Sequence, residues 1–385
     1  MTFASLARAL EALQSAQLVV DDEMCINLRG RRVLCRRCEK VCPVAALTLG
    51  EDEIALDEAA CTGCGACVPA CPAGALRLTG FDPERFLQAL GQARQVQVHC
   101  SASRDEGGGV VIPCHALLDA RLLAAAMAEG TETFVLHGLG GCGACSRGDA
   151  TEHVDAARRL LQRWFGDAAP QLLPAAPGDR APAGGRVHQD QPEASRRGFL
   201  RLAGLQVGTS AAWSIPGDGG DGREETTPSW RSPVTRRTAP QRPVPQRRAL
   251  TERMAWLPWV TRRLPWAVRA FAESCTGCMV CAQWCPTGAL HGDVTAESRR
   301  ISFDPALCTN CTLCQRICPV DAVRPRPAET VADVTAPRSL LMDWELTPCK
   351  SCGLGFTPDD GSEAVCAQCR NEQELDDEWH AMLEA

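Results

Sequence analysis

The chain is organised around a cysteine run that it writes four times. Each copy ends in Cys-Pro followed by small and aliphatic residues: CPVAAL from Cys42, CPAGAL from Cys71, CPTGAL from Cys285 and CPVDAV from Cys318. The copies form two pairs, about thirty residues apart within a pair, so each copy reads as half of a small repeated unit. With 24 cysteines and no tyrosine in 385 residues, cysteine is too abundant here to be core filler. At this length two to four domains are expected.

The opening stretch MTFASLARALEALQSAQLVV has no basic region followed by an apolar stretch and a small-residue cleavage site, so the expectation is a cytoplasmic protein. In a reducing compartment closely spaced cysteines read as metal ligands rather than disulfides. No apolar run reaches ~18 residues, which predicts no transmembrane segment. The net charge of -7 is uneven, because Arg outnumbers acidic residues from Arg186 to Arg263 and the rest is acidic. An acidic surface suits basic protein partners and repels the phosphates of nucleic acid.

In CTGCGACVPACP the thiols are Cys61, Cys64, Cys67 and Cys71, spaced C-x2-C-x2-C-x3-C-P, the spacing of cubane ligands. CTGCMVCAQWCP (Cys275, Cys278, Cys281, Cys285) and CTNCTLCQRICP (Cys308, Cys311, Cys314, Cys318) repeat it without exception. Close spacing lets three thiolates converge on one cluster while backbone N–H groups point at its sulfurs. The first copy departs from the pattern. RVLCRRCEKVCP keeps Cys35, Cys38 and Cys42, but Arg32 stands where the leading cysteine belongs. Cys25, seven residues upstream, could supply the fourth thiolate, which divides all the cysteines into six groups of four. Without it the site would hold a [3Fe-4S] core.

These residues resemble the bacterial two-cluster ferredoxins over about Asp22 to Leu78 and Phe271 to Val323. The resemblance implies ligands crossed between copies, because the last cysteine of each run serves the other cube. Cys25, Cys35, Cys38 and Cys71 would then share one [4Fe-4S] cluster, and Cys61, Cys64, Cys67 and Cys42 its neighbour. In the second module the sets are Cys275, Cys278, Cys281 with Cys318, and Cys308, Cys311, Cys314 with Cys285. Four [4Fe-4S] clusters are expected in all.

Between the modules, Val96–Val98, Val110–Ile112 and Phe134–Leu136 read as strands, while Ala116–Glu129 and Val154–Phe165 have helical spacing, giving an α/β unit. It carries Cys100, Cys114, Cys142 and Cys145 at strand ends and resembles the small delta-type iron–sulfur subunit linking hydrogenases or formate dehydrogenases to heterodisulfide reductase. That resemblance implies a [2Fe-2S] cluster or another metal; buried free thiols or a redox-active Cys142/Cys145 pair are the alternatives. His99 and His115 flank proposed ligands, and all seven histidines are read as core or surface residues.

CKSCGLGFTPDDGSEAVCAQC near the end offers Cys349, Cys352, Cys366 and Cys369 as two C-x2-C knuckles, resembling zinc-ribbon Zn(Cys)4 sites, with a rubredoxin-type iron site as the alternative. The Pro, Gly, Ser, Thr and Arg of residues 167–250 predict a largely disordered linker. Within it SRRGFLRLAG resembles a twin-arginine export signal, but its mid-chain position favours a short helix capped by Ser195. WLPWVTRRLPW (Trp256–Trp266) is expected to dock on the second module or to lie on a membrane surface.

The fold class is therefore α+β: two pseudo-symmetric ferredoxin-like modules (1–80 and 251–328), an α/β unit (94–166), a linker (167–250) and a zinc ribbon (340–375). The function expected is iron–sulfur electron transfer, as a subunit or adaptor between a low-potential donor and a larger oxidoreductase such as a formate dehydrogenase or hydrogenase-type complex. An accessory role in redox sensing or in maturation of a molybdenum or iron–sulfur enzyme is the alternative. No catalytic residues are expected, because dinucleotide loops, phosphate loops and nucleophile elbows are unrecognisable in the sequence.

Overall fold

The computed structural model describes residues 18–30, 32–50, 53–103, 107–176, 186–188, 243–295, 297–357 and 365–384. The SRRGFLRLAG segment lies outside them. In the first module, β1 (Leu18–Val20) pairs antiparallel with β4 (Leu76–Leu78), and β2 (Leu47–Leu49) with β3 (Ile54–Leu56). Between the strands lie three short helices, α1 (Ile26–Gly30), α2 (Arg37–Val41) and α3 (Cys67–Ala70). Strands of three residues cannot stand alone. Leu47, Leu49, Leu76 and Leu78 are buried while Thr48 and Arg77 face solvent, the period of two that fixes register.

The chain then enters α4 (Pro83–Leu90), where Asp82 caps the first turn by accepting from Arg85 N at 2.9 Å and Pro83 occupies the position whose N–H needs no partner. The next strands, β5 (Gln95–Cys100), β6 (Gly109–Ile112), β7 (Thr133–His137), β8 (Gln171–Pro174) and β9 (Arg186–His188), make a wholly parallel sheet in the order β8-β7-β5-β6-β9. α5 (Ala120–Ala128) and α6 (Thr151–Phe165) link them. α5 starts later than the apolar spacing suggests because Asp119 Oδ1 accepts from Leu122 N at 2.9 Å, capping the helix there. Its run Leu122–Ala126 is buried, since α5 packs on α4, α6 and α7 (Pro245–Arg253) at once.

The α/β unit is thus larger than residues 94–166: its sheet takes in β8 and β9. The stretch read as a linker also contains α7 at its far end, so the boundary expected at residue 251 falls inside a helix that packs on α4 and α5. The Pro- and Arg-rich composition of this stretch hid all three elements. Trp256–Trp266 forms a strap. Trp259 and Trp266 join Trp164 and Phe165 in one aromatic cluster, Val260 N donates to Trp164 O at 2.8 Å, and Leu264 N to Ala328 O at 2.9 Å. The strap therefore binds the α/β unit as well as the second module.

In the second module β10 (Ala267–Phe271) pairs antiparallel with β13 (Val323–Pro327). β11 (Leu290–Val294) and β12 (Ser298–Phe303) form the inner hairpin, with helices α8 (Val280–Gln283) and α9 (Leu313–Arg316) alongside. The order matches the first module. After α10 (Val331–Thr335), held by a Thr330/Asp333 capping box, β14 (Ser339–Glu345) joins β12. The segment expected to open a separate ribbon at residue 340 is thus a strand of the module's own sheet. The tail follows as β15 (Thr347–Pro348), β16 (Gly355–Phe356) and α11 (Ala367–Glu384). No helix among the described residues is long and apolar enough to cross a membrane.

Candidate iron–sulfur and metal sites

Each Cys-Pro run ends in the same small structure. The third residue after the cysteine is left-handed in all four copies: Ala45 (φ 52°), Gly74 (φ 68°), Gly288 (φ 69°) and Asp321 (φ 46°). That twist turns the next N–H back toward the sulfur. Ala46 N donates to Cys42 Sγ at 3.2 Å, Ala75 N to Cys71 Sγ at 3.3 Å and Ala322 N to Cys318 Sγ at 3.2 Å. The residue at this position is alanine in all four copies, Ala289 included, and all four are buried. The repeated Ala is visible in the sequence, although its purpose is not.

The C-x2-C loops use a second left-handed pair: Gly63 and Gly65, Gly277 and Met279, Asn310 and Thr312. Glycine signals this geometry and Asn tolerates it, but Met279 and Thr312 give no warning. The first copy lacks the pair, and Arg36 has φ -124°. A buried Asn27 replaces it. Its Oδ1 accepts from Leu34 N at 2.9 Å and Cys35 N at 2.8 Å, and its Nδ2 donates to Cys35 O at 2.8 Å, holding Cys25 and α1 against the loop.

The thiols gather into sets. Burial pushes up Cys25, and it pushes Cys38 up to about 11; both are raised further by Cys71 and Cys35. Cys67 is pushed up by burial, then by Cys64, Cys38, Cys42 and Cys61. In the second module Cys275 neighbours Cys278 and Cys318, while Cys311, raised to about 12 by burial, neighbours Cys285, Cys308 and Cys314. A narrow recess opens among Cys42, Cys61, Cys64 and Cys67, with Leu18, Leu47 and Leu78 on its walls. Another opens among Cys275, Cys278, Cys281 and Cys318. Thiols around an apolar recess, with N–H groups aimed at sulfur, fit an iron–sulfur cube.

At the carboxyl end of the parallel sheet stand the four remaining thiols of that half. Cys100 ends β5, Cys114 follows β6, and Cys142 and Cys145 lie on the turn after β7. β6 and β7 flank β5 on opposite sides, so this is a topological switch point, where open parallel sheets bind ligands. Burial pushes up Cys100, Cys114 (to about 12) and Cys142; Cys145 acts on Cys100, and both Cys100 and Cys142 act on Cys114. Cys114 also neighbours Cys64 of the first module. His99 and His137 stack at 4.2 Å, and with His115 they are fully buried. His115 is pulled down to about 4 by burial, so all three lie in the core of the unit. None of the 24 cysteines is joined in a disulfide.

In the tail, Cys349, Cys352, Cys366 and Cys369 place their sulfurs within 4.8 Å of one another, the one such set among the described residues. The backbone N–H groups of Cys352 and Cys366 donate to Cys349 and hold its thiol down to about 6, with Cys366 N 3.2 Å from Sγ. A thiolate stabilised in this way is ready to take a metal ion.

The 4Fe-4S dicluster domain family matches the chain twice, over residues 31–75 and 274–322. Ferredoxin-3 of Chlorobaculum tepidum is 39% identical over 56 residues, 13% of this chain and 90% of that protein. Hydrogenase-4 component A of Escherichia coli is 41% identical over 56 residues, 13% of this chain and 27% of that protein. One component of the ion-translocating oxidoreductase complex of Methanosarcina acetivorans is 46% identical over 44 residues, 11% of this chain and 17% of that protein. The chain thus spans about a quarter or less of these two larger relatives. It is an iron–sulfur electron-transfer protein of ferredoxin type. It belongs to the 4Fe-4S dicluster ferredoxin family, and its two domains provide for up to four clusters.

Proposed function

We propose that the chain carries single electrons between a low-potential donor and a larger oxidoreductase of the formate dehydrogenase or hydrogenase type, as a cytoplasmic subunit or adaptor. The supporting observation is that five cysteine sets lie in series, each near enough to act electrostatically on the next or packed against it. Cys100, Cys114, Cys142 and Cys145 meet Cys42, Cys61, Cys64 and Cys67 through Cys114 and Cys64. Those meet Cys25, Cys35, Cys38 and Cys71 through Cys67 and Cys38.

The modules then meet at Ile26, Ala73 and Leu313, against which Cys35, Cys71 and Cys311 pack. Arg29 Nε donates across the junction to Trp284 O at 3.1 Å, and Arg316 donates back to Leu34 O. The set with Cys311 meets the last one through Cys314 and Cys281. Cys278, exposed at the end of the series, is where a partner would dock. When bound, iron–sulfur clusters exchange one electron at a time without making or breaking bonds in a substrate.

In this reading the sixteen ferredoxin cysteines are cluster ligands, crossed between copies, with Cys25 as the fourth ligand of the first set. The α/β unit, resembling the delta-type subunit, holds a fifth centre, a [2Fe-2S] cluster. The tail is a small ribbon whose Zn2+ fixes its shape and does no redox work. The test is to mix the anaerobic, oxidised chain with formate dehydrogenase plus formate, or with hydrogenase plus hydrogen, and follow bleaching of the visible absorbance. Bleaching with either enzyme is expected. A chain that dithionite bleaches but neither enzyme does would refute the choice of partner.

A further inference from the structure

Two arginines are buried against one of the ferredoxin sets. Arg269, on β10, is 2% exposed, and Arg247, on α7, is 5% exposed. Burying a charge is costly unless a negative group answers it, and among the described residues neither guanidinium makes a salt bridge to a carboxylate. Arg269 donates to Asn310 Oδ1 at 2.9 Å, inside the Cys308–Cys311 loop, and Cys308, Cys314 and Cys311 favour its charge. Its Nε and Nη1 have no hydrogen-bond partner among the described residues. Arg247 lies 4.6 Å over the Trp266 ring and spends one donor on Pro265 O at 3.4 Å, leaving Nε and Nη2 without partners. Burial pulls Arg247 down to about 9, and the group that most favours its charge is Cys308. Four buried donors on two cations are therefore gathered beside Cys308, Cys311 and Cys314.

A reduced cluster bears one more negative charge than an oxidised one, so a nearby buried cation favours the reduced form. We propose that Arg247 and Arg269 raise the reduction potential of the cluster held by Cys285, Cys308, Cys311 and Cys314, so that an electron entering the chain rests at the junction of the two modules. This rests on the ligand sets of the proposed function. The step is a one-electron reduction with a redox partner or an electrode as donor, in which no bond breaks and no proton moves. Arg29, buried at the same junction, donates instead to the carbonyls of Trp284 and Glu23.

The test is an EPR-monitored potentiometric titration of the full-length chain and of its Arg269→Met, Arg247→Met and Arg269→Lys variants, each with iron and sulfide counted. In the wild type one cluster is expected to reduce ahead of the others. Each methionine variant should lower that midpoint alone by at least a tenfold shift in the one-electron equilibrium, about 59 mV, and Arg269→Lys should keep most of it. Full iron content with no midpoint moved in either methionine variant would overturn the inference. Loss of iron from both would do the same, by showing the arginines to be structural. A wild-type chain with too little iron for four clusters would instead refute the ligand reading beneath it.

Discussion

Asn27→Ala should convert the first site from four irons to three. Asn27 is 1% exposed and makes three hydrogen bonds of 2.8 to 2.9 Å to the loop carrying Cys35. Each is worth about 1 kcal/mol net, and the Cys35 N–H left unpaired adds to that, since Leu34 N keeps its bond to Arg32 O at 2.8 Å, for a total of roughly 3 kcal/mol. About 3 kcal/mol is a hundredfold change in the balance between Cys25 held and Cys25 released. Since Arg32 cannot replace it, the fourth iron loses its thiolate. The assay is EPR of the air-oxidised, anaerobically purified variant, in which the signal of an oxidised three-iron core should appear as about one iron per chain is lost. Cys25→Ser should give the same signal more completely. An Asn27→Ala chain with unchanged iron and no three-iron signal would refute the clamp.

Other outcomes follow from the same geometry. Ala45→Gly should raise the midpoint for thermal cluster loss, because a left-handed alanine costs about 1 kcal/mol that glycine does not; a lower midpoint would contradict this. Gly65→Val should displace the α/β unit from the first module, since an added Cβ would lie 2.5 Å from Leu117 Cδ2; the readout is increased protease cleavage between residues 78 and 95. Leu313→Asp, buried where Cys35, Cys71 and Cys311 meet, should weaken magnetic interaction between the modules' reduced clusters without loss of iron. Chelation of the tail's metal should require a higher chelator concentration at pH 8 than at pH 5. Cys349, held down to about 6, is a thiolate above that value and takes up a proton below it, competing with the metal.

Cysteine spacing carried most of the site into the sequence, because ligand chemistry tolerates few substitutions and the loop glycines mark its turns. Three kinds of feature were illegible. Met279 and Thr312 adopt left-handed backbone in the role that Gly65 fills in the first module, and nothing local to them announces it. Asn27 acts through a contact eight residues away, which replaces a missing motif residue by side-chain hydrogen bonds. Arg247 lies in a segment whose Pro and Arg content reads as solvated linker, yet α7 buries it beside Cys308. Three of the five parallel strands, β5 to β7, were readable from β-branched or aromatic runs, while the order of the sheet, and hence the meeting of Cys100, Cys114 and Cys142, is set by tertiary packing alone.

The most direct test of the whole account is the cofactor content and redox behaviour of the chain purified without oxygen. Iron, acid-labile sulfide and zinc should be counted, and EPR recorded through a stepwise reductive titration. About sixteen irons with matching sulfide for four cubes, a surplus of about two at the α/β unit, one zinc, and interacting reduced signals that reoxidise reversibly are the predicted result. Far fewer irons, or clusters that form but do not reduce and reoxidise, would contradict the claim that this chain is an electron carrier.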